Sequence, residues 1–304
     1  MSDKTIPIFL ASDDNYAPFL CTTMYSILLH TQSQIDFYVM DGGICRKSKK
    51  LIEASLKKFK NKTIKYLDMT KFELSRFPNL RHYSLNAFSR FFIPKLTPKL
   101  GKAIYMDVDV IIKDDIAELY NQPLGKYAIG AVLEDFYVGN YTNLKTDIWP
   151  KYKGGDQYFN SGVLLLDIQK LIKANSVEKL VSLAVKLFDK LSTADQDVFN
   201  ILFDGKFKVL DYRYNFMPDF FYLLKAKHPE RQEVKPLIIH YTAQKPWKAE
   251  SACSADFHEI MQQTKFADIV REKFRKPTEQ PICRKKVVSY KLFGFIPLLS
   301  IEKK

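Results

Sequence analysis

The sequence predicts an α/β fold with a mostly parallel central sheet flanked by helices, and three observations carry that prediction. Short apolar runs of β type alternate with amphipathic helical patterns through the first 70 residues, as strand-helix-strand units do. Each run closes on a polar or glycine-containing turn. Acidic, amide and imidazole side chains gather at the carboxyl ends of the runs, where open α/β sheets bind their ligands.

The first run, residues 5–11 (TIPIFLA), ends in Ser12, Asp13, Asp14 and Asn15. Leu20, Met24, Ile27 and Leu28 follow at helical spacing and predict a helix packed on the sheet. Residues 35–40 repeat the strand signal and Asp41-Gly42-Gly43 breaks it. Leu51, Ile52, Leu56 and Phe59 mark a second amphipathic helix before a third strand at 63–68. After a proline-containing loop at 77–83, a short segment at 86–92 leads through Pro94 and Pro98 to residues 102–112, KAIYMDVDVII, the central strand. Residues 127–133 and 162–167 are further strands. Between them, 134–158 is long and rich in Gly, Tyr and Asn, the kind of connection that carries function or disorder. Val177, Leu180, Val181, Ala184, Leu187, Phe188 and Leu191 spell a helix, Asp195-Gln196-Asp197 opens the next, and residues 236–241 form a last strand containing His240.

A chain of 304 residues with 46% hydrophobic and 27% charged residues can bury a large core and is not of disordered type. The formal charge of +13 raises nucleic acid as a partner, but residues 271–304 alone carry ten Lys or Arg against three Glu, which leaves +6 for the other 270. A basic tail on a nearly balanced domain is expected, with no nucleic-acid partner. No apolar run reaches the roughly 18 residues that span a bilayer, and the N-terminus lacks a basic stretch followed by a long apolar one. Cys21, Cys45, Cys253 and Cys283 have neither metal-type spacing nor the density of a disulfide scaffold. These features read as a reduced, cytoplasmic protein.

Asp107 and Asp109 stand one valine apart. Along a strand, alternate residues face the same side, so both carboxylates point together if strand geometry holds through them. Two like charges between apolar runs are costly unless a cation or hydrogen bonds compensate. They read either as ligands of a divalent metal or as an exposed turn where a strand stops. His240 supplies a third candidate, and Asp13 and Asn15 collect at another strand end. Two carboxylates and an imidazole suit Mn²⁺ better than a zinc site built on thiolates. A single histidine is as readily a core or surface residue.

Seven motifs occur in order: ASDDNY at 11–16, RHYSLNAFSR at 81–90, YMDVDV at 105–110, YFNSGVLLLD at 158–167, DQD at 195–197, YNFMP at 214–218 and HYTAQKPW at 240–247. With them the chain, from Ile8 to about Trp247, resembles the family 8 retaining glycosyltransferases, and within that family the bacterial lipooligosaccharide or lipopolysaccharide α-galactosyltransferases and α-glucosyltransferases. The resemblance implies a GT-A type nucleotide-sugar-binding domain over residues 1–265. It implies a UDP-galactose or UDP-glucose donor, Mn²⁺ (or Mg²⁺), and a glycolipid or oligosaccharide acceptor, the lipooligosaccharide core.

The resemblance also assigns residues. Asp107, Asp109 and His240 hold the metal, Asp107 touching the donor sugar as well. Ala11, Asp13, Asn15, Tyr16, His82, Tyr83, Val108 and Lys245 hold the nucleotide, with Tyr16 stacking on uracil and Lys245 on the diphosphate. Arg90, Asn160, Asp195 and Gln196 line the donor sugar. Gln196 lies near the anomeric carbon opposite the leaving group; a glutamine oxygen is a poor nucleophile, so front-face attack, with the departing phosphate taking the acceptor's proton, is favoured over a covalent intermediate. Plainer roles stand beside these: packing for Tyr16, a solvated surface for Lys245, a simple connection for His82 and Tyr83, and an N-cap for Asp195. Two departures from the family pattern are visible. Glu134 followed by Asp135 occupies the place of one acceptor-side Asp, and the spacing from His240 to Lys245 is shortened, with Ala243 near the place of a glycine.

Residues 266–304 join a basic cluster at 284–286 to an aromatic and apolar stretch at 287–299. The segment either lies on an anionic membrane surface or docks Phe293, Phe295 and Ile296 on the domain. The first reading makes the protein peripheral on the inner face of the cytoplasmic membrane. Two other classes compete: another metal-dependent nucleotide-using enzyme, such as a nucleotidyltransferase, and a non-enzymatic basic module that binds membrane or nucleic acid.

Overall fold

The computed structural model describes residues 5–70, 86–134, 148–151, 157–220, 226, 234–242, 244–247, 253–273, 291–292 and 296–297. The chain opens with β1 (Ile6–Ser12), α1 (Ala17–His30), β2 (Ile35–Asp41), α2 (Arg46–Ser55) and β3 (Lys62–Asp68). β1 pairs in parallel with β2, and β2 with β3. Short helical turns from Asn86 to Leu96 precede β4 (Lys102–Met106), which is parallel to β1. Beyond it come β5 (Val110–Ile112), β6 (Ile129–Leu133), β7 (Phe159–Asp167), α3 (Ile168–Lys173), α4 (Ser176–Leu187), α5 (Asp195–Leu202), β8 (Lys208–Val209) and β9 (Ile238–His240). α6 (Ser254–Met261) and α7 (Ala267–Lys273) follow, with Phe266 buried just before α7 and Val270 buried within it. The main sheet has the order β3-β2-β1-β4-β7-β6-β8.

Strand alternation sends Ile8, Leu10, Ile104 and Met106 into one core with α1, and Phe9, Tyr105, Leu164 and Leu166 into another with Phe88, Phe91 and α4. The sheet is thus covered on both faces, as predicted. It is also mixed, because β7 runs antiparallel to both β4 and β6. No amphipathic helix pattern separates β6 from β7 in the sequence, and a parallel pair requires such a crossover.

α1 packs on the sheet as expected, and its polar stripe is buried as well. Thr23 Oγ1 lies 2.9 Å from the carbonyl oxygens of both Val108 and Val110, and Ser26 Oγ accepts from the Ile112 N–H at 3.1 Å. Those hydrogen bonds dock β5 on α1 and satisfy groups that burial would otherwise penalise.

One expectation changes: residues 102–112 are not one strand. β4 stays in the main sheet as far as Met106, and β5 pairs antiparallel with β9 in a separate two-stranded sheet. Asp107-Val108-Asp109 is the step between the two sheets, so its carboxylates converge through that turn and not through strand alternation.

Candidate functional site

The step from β4 to β5 is pinned by main-chain hydrogen bonds. The Asp107 N–H donates to Gly162 O at 2.8 Å, and the Tyr241 N–H donates to Asp109 O at 3.0 Å. β9 pairs Val110 with His240, which carries the imidazole to the same point. His240 Nε2 lies 3.3 Å from Asp109 Oδ1 and 3.9 Å from Asp107 Oδ2. One ligand atom from each of the three residues falls within 4.8 Å of the others, the arrangement expected of a metal site.

The donor set fits a divalent cation on a further observation. Asp109 Oδ1 is buried and accepts no hydrogen bond, although such an oxygen ordinarily costs ~1–3 kcal/mol when left unsatisfied. Asp107 is oriented for the same purpose. Its Oδ1 accepts from Tyr105 Oη at 2.6 Å and from Arg90 Nη2 at 2.8 Å, which leaves Oδ2 on the side of His240. Burial raises the Asp109 carboxyl, but the adjacent Lys245 ammonium opposes it, and the group is held far below the usual carboxylate range. Lys245 Nζ sits 2.5 Å from Asp109 Oδ2 and also donates to the carbonyls of Tyr241 and Thr242. It is therefore not a solvated surface lysine.

Arg90 is the hub of the adjoining pocket. Its guanidinium is buried over the Tyr105 ring, 4.3 Å from the centroid. It donates to Ser161 O at 2.8 Å and pairs with Asp107 at 2.8 Å and Asp195 at 3.2 Å. Asp195 opens α5 without capping it. The N-cap is Ala194, at φ +46°, and Asp195 Oδ2 instead accepts from Ser161 Oγ at 3.0 Å. The carboxylate that ties down the preceding turn is Asp197, which accepts from the N–H groups of Ser192 and Thr193. Burial pushes the Asp195 carboxyl up to about 6, Arg90 offsetting only part of the penalty.

Gln196 is fully engaged. Its Oε1 accepts from the Ser161 N–H at 3.0 Å, and its Nε2 donates to Glu134 Oε2 at 3.1 Å and to Tyr158 Oη at 3.2 Å. Glu134 Oε2 also accepts from Asn160 Nδ2 at 3.0 Å. The five residues expected around a donor sugar, Arg90, Asp107, Asn160, Asp195 and Gln196, therefore form one hydrogen-bonded group with the triad.

On the β1 side, Asp13 Oδ1 accepts from the Tyr16 N–H at 3.1 Å, which fixes the turn into α1. Tyr16 is 39% exposed and meets Phe19 and Trp247 edge-on. Trp247 is buried and stacks flat on Phe19, so the last motif residue is a wall behind Tyr16. Ala11 is half-buried, Asn15 exposed and Val108 buried. His82, Tyr83, Asp135, Ala243 and residues 284–290 lie outside the described residues, as do Phe293, Phe295 and Cys283.

Asn215, Ser161, Gly162, Tyr105 and Tyr158 belong to the site and are not among the residues the sequence assigns. Asn215 Oδ1 is 2.8 Å from His240 Nδ1. A Cβ on Gly162 would fall 2.2 Å from His240 Cε1. Both residues stand in motifs quoted above, YNFMP and YFNSG, and a buried asparagine or a strand-interior glycine there was the available signal.

Residues 7–251 match the sequence profile of the family described as glycosyl transferase family 8. A putative glycosyltransferase of Haemophilus influenzae is 30% identical over 241 residues, covering 78% of this chain and 71% of that one. The lipopolysaccharide 1,2-glucosyltransferase of Escherichia coli K12 is 31% identical over 250 residues, covering 77% and 70%. Among solved structures, the galactosyltransferase LgtC in complex with donor and acceptor sugar analogues superposes with a TM-score of 0.72 at 26% identity, covering 86% of this chain and 96% of that one. The chain spans 58% of the length of another curated relative.

Proposed function

This chain belongs to glycosyl transferase family 8, with the GT-A type of fold, and from its site we propose that it is a metal-dependent retaining hexosyltransferase that moves galactose or glucose from a UDP-sugar to a glycan acceptor of lipooligosaccharide type. The observation that carries the proposal is the buried Oδ1 of Asp109, which has no hydrogen bond and stands beside Asp107 Oδ2 and His240 Nε2. A cation supplies the missing partner. Oxygen and imidazole ligands without thiolate favour Mn²⁺, with Mg²⁺ the alternative. Such an ion, when bound, stabilises the charge on a departing diphosphate. The names of the relatives, a lipopolysaccharide glucosyltransferase and a galactosyltransferase, support the hexose donor and the glycolipid acceptor.

The chain's own residues have clear parts in this reading. Lys245 has its donors on Asp109 and two carbonyls, so a diphosphate set against the triad competes with Asp109 for its ammonium. Arg90 bridges Asp107 and Asp195 through one oxygen of each, leaving Asp107 Oδ2 toward the cation position and the other Asp195 oxygen for a sugar hydroxyl. Gln196 Oε1 already accepts a main-chain N–H, which lowers its value as a nucleophile and supports front-face attack. A glycosyl adduct trapped on Gln196 or Asp195 in a slowed variant would overturn that mechanism. His82, Tyr83, Glu134 and Asp135 complete the proposal on the nucleotide and acceptor sides.

A screen of UDP-sugars for hydrolysis in Mn²⁺ and in chelator tests the function. Turnover of UDP-galactose or UDP-glucose only with metal is expected; turnover in chelator, or of neither sugar, counts against it. Tyr16→Ala should weaken UDP binding about 10- to 100-fold, as loss of ~1–3 kcal/mol of base stacking does, with an unchanged melting temperature because the ring is partly exposed. Titration calorimetry and a melting curve measure both. The basic and aromatic stretch at 284–299 is proposed to attach the enzyme to an anionic membrane surface. Truncation after Pro281 should reduce sedimentation with anionic liposomes and spare hydrolysis of the donor.

A further inference from the structure

The triad's histidine is held by a one-way chain of hydrogen bonds. The Gly162 N–H donates at 2.9 Å to one end of the Asn160 amide. A main-chain N–H can only donate, so that end is Oδ1 and the other is the NH₂, which donates to the Glu134 carboxylate at 3.0 Å. Two independent neighbours, one a pure donor and one an acceptor, thus fix the same orientation. Asn160 Oδ1 also faces the Asn215 amide at 2.9 Å, so the Asn215 atom there is Nδ2. Asn215 must then present Oδ1 to His240 Nδ1, 2.8 Å away. An amide oxygen accepts, so the hydrogen of the neutral ring sits on Nδ1 and the lone pair on Nε2, the atom that faces Asp107 and Asp109. Asn215, Asn160 and His240 are all buried, so no exchange with solvent relaxes the pattern.

We propose that Asn215 is a positioning residue that locks His240 in the Nδ1–H tautomer and keeps Nε2 open as a ligand, its own orientation set by Asn160 between the Gly162 N–H and the Glu134 carboxylate. Through Glu134 the same chain holds the Gln196 amide, so the cation position and the pocket beside it share one fixed hydrogen-bond direction. The inference rests on the proposed function for the identity of the ion and on the network alone for the tautomer.

The test is the ¹⁵N–¹H two-bond correlation spectrum of the histidine rings in metal-free protein at pH 8, with His240 assigned by the signal missing from His240→Gln. Nδ1 protonated and Nε2 unprotonated is the expected pattern; an Nε2–H ring or a mixture of tautomers overturns the proposal without any variant having to fold. Binding of Mn²⁺, followed by the electron paramagnetic resonance of the free ion, is expected to weaken about 10- to 100-fold in Asn215→Leu, the usual cost of losing a partner behind a metal ligand. It should stay within about threefold in Asn215→Asp, which keeps the acceptor. Equal Mn²⁺ affinity in Asn215→Leu and the parent protein also overturns the proposal. Should the parent protein bind no Mn²⁺, the metal assignment fails while the spectrum still decides the tautomer.

Discussion

Arg90→Met is expected to lower stability by ~3–5 kcal/mol, the cost of leaving partners of a buried ion pair uncompensated. That corresponds to a melting temperature lower by about 10 °C for a chain of this size. The guanidinium lies against Asp107, Asp195 and Ser161 together, and no other cation among the described residues is paired with Asp195. Arg90→Lys should recover less than half of the loss, because one ammonium cannot span two carboxylates and a carbonyl.

The pH dependence has a definite sign. Asp195 titrates in the fold at about 6 even beside Arg90, above its ordinary range. A carboxyl whose folded value is raised binds more protons in the native state, so its contribution to stability is present at low pH and is lost as pH rises through the folded value. Without Arg90 that value rises further. The destabilisation of Arg90→Met should therefore be smaller at pH 5 than at pH 7.5, by melting curves at both. A loss independent of pH would contradict the assignment of Arg90 to Asp195.

Gly162→Ala is expected to abolish metal binding within an otherwise folded protein. Its Cβ would lie 2.2 Å from His240 Cε1, 2.9 Å from Asp107 Oδ2 and 3.0 Å from Asn160 Oδ1. The imidazole cannot swing aside, since Asn215 holds Nδ1 and the ring is buried. Main chain or ligands must shift, at ~1–3 kcal/mol for overpacking. A displacement of that size at a reacting centre costs roughly 100-fold or more in turnover. Mn²⁺ titration, a melting curve and donor hydrolysis measure the three effects. Unchanged Mn²⁺ affinity would contradict the geometry given for the triad.

The run from β1 to β3 was legible because its signals are local. Period-2 and period-3.6 patterns follow one another, and Asp41-Gly42-Gly43 closes β2 with Gly43 at φ +112°. The split of residues 102–112 was not, because Asp-Val-Asp contains no glycine or proline and both flanks read as strand. What divides them is remote: β9 claims Val110–Ile112, and Thr23 on α1 receives the turn. The direction of β7 is likewise set by partners far along the chain.

In the site, the charged residues were legible as types that are rarely buried without purpose, and the motifs placed them in order. Their partners were harder to see. Asn215, Tyr105 and Ser161 act through hydrogen bonds to residues 25, 2 and 71 positions away, a mix of separations that no local pattern encodes. Lys245 was assigned to a phosphate from its motif, and its ion pair with Asp109 becomes visible only when β5 and the segment after β9 are brought together.

The central claim is that Asp107, Asp109 and His240 form a cation site on which nucleotide binding depends. Thermal-shift measurements with UDP, in Mn²⁺ and in chelator, test it on the parent protein and on Asp109→Asn. The account predicts stabilisation of the parent by UDP only when Mn²⁺ is present, and none in Asp109→Asn under either condition. Equal stabilisation by UDP in chelator, or its survival in Asp109→Asn, would contradict it.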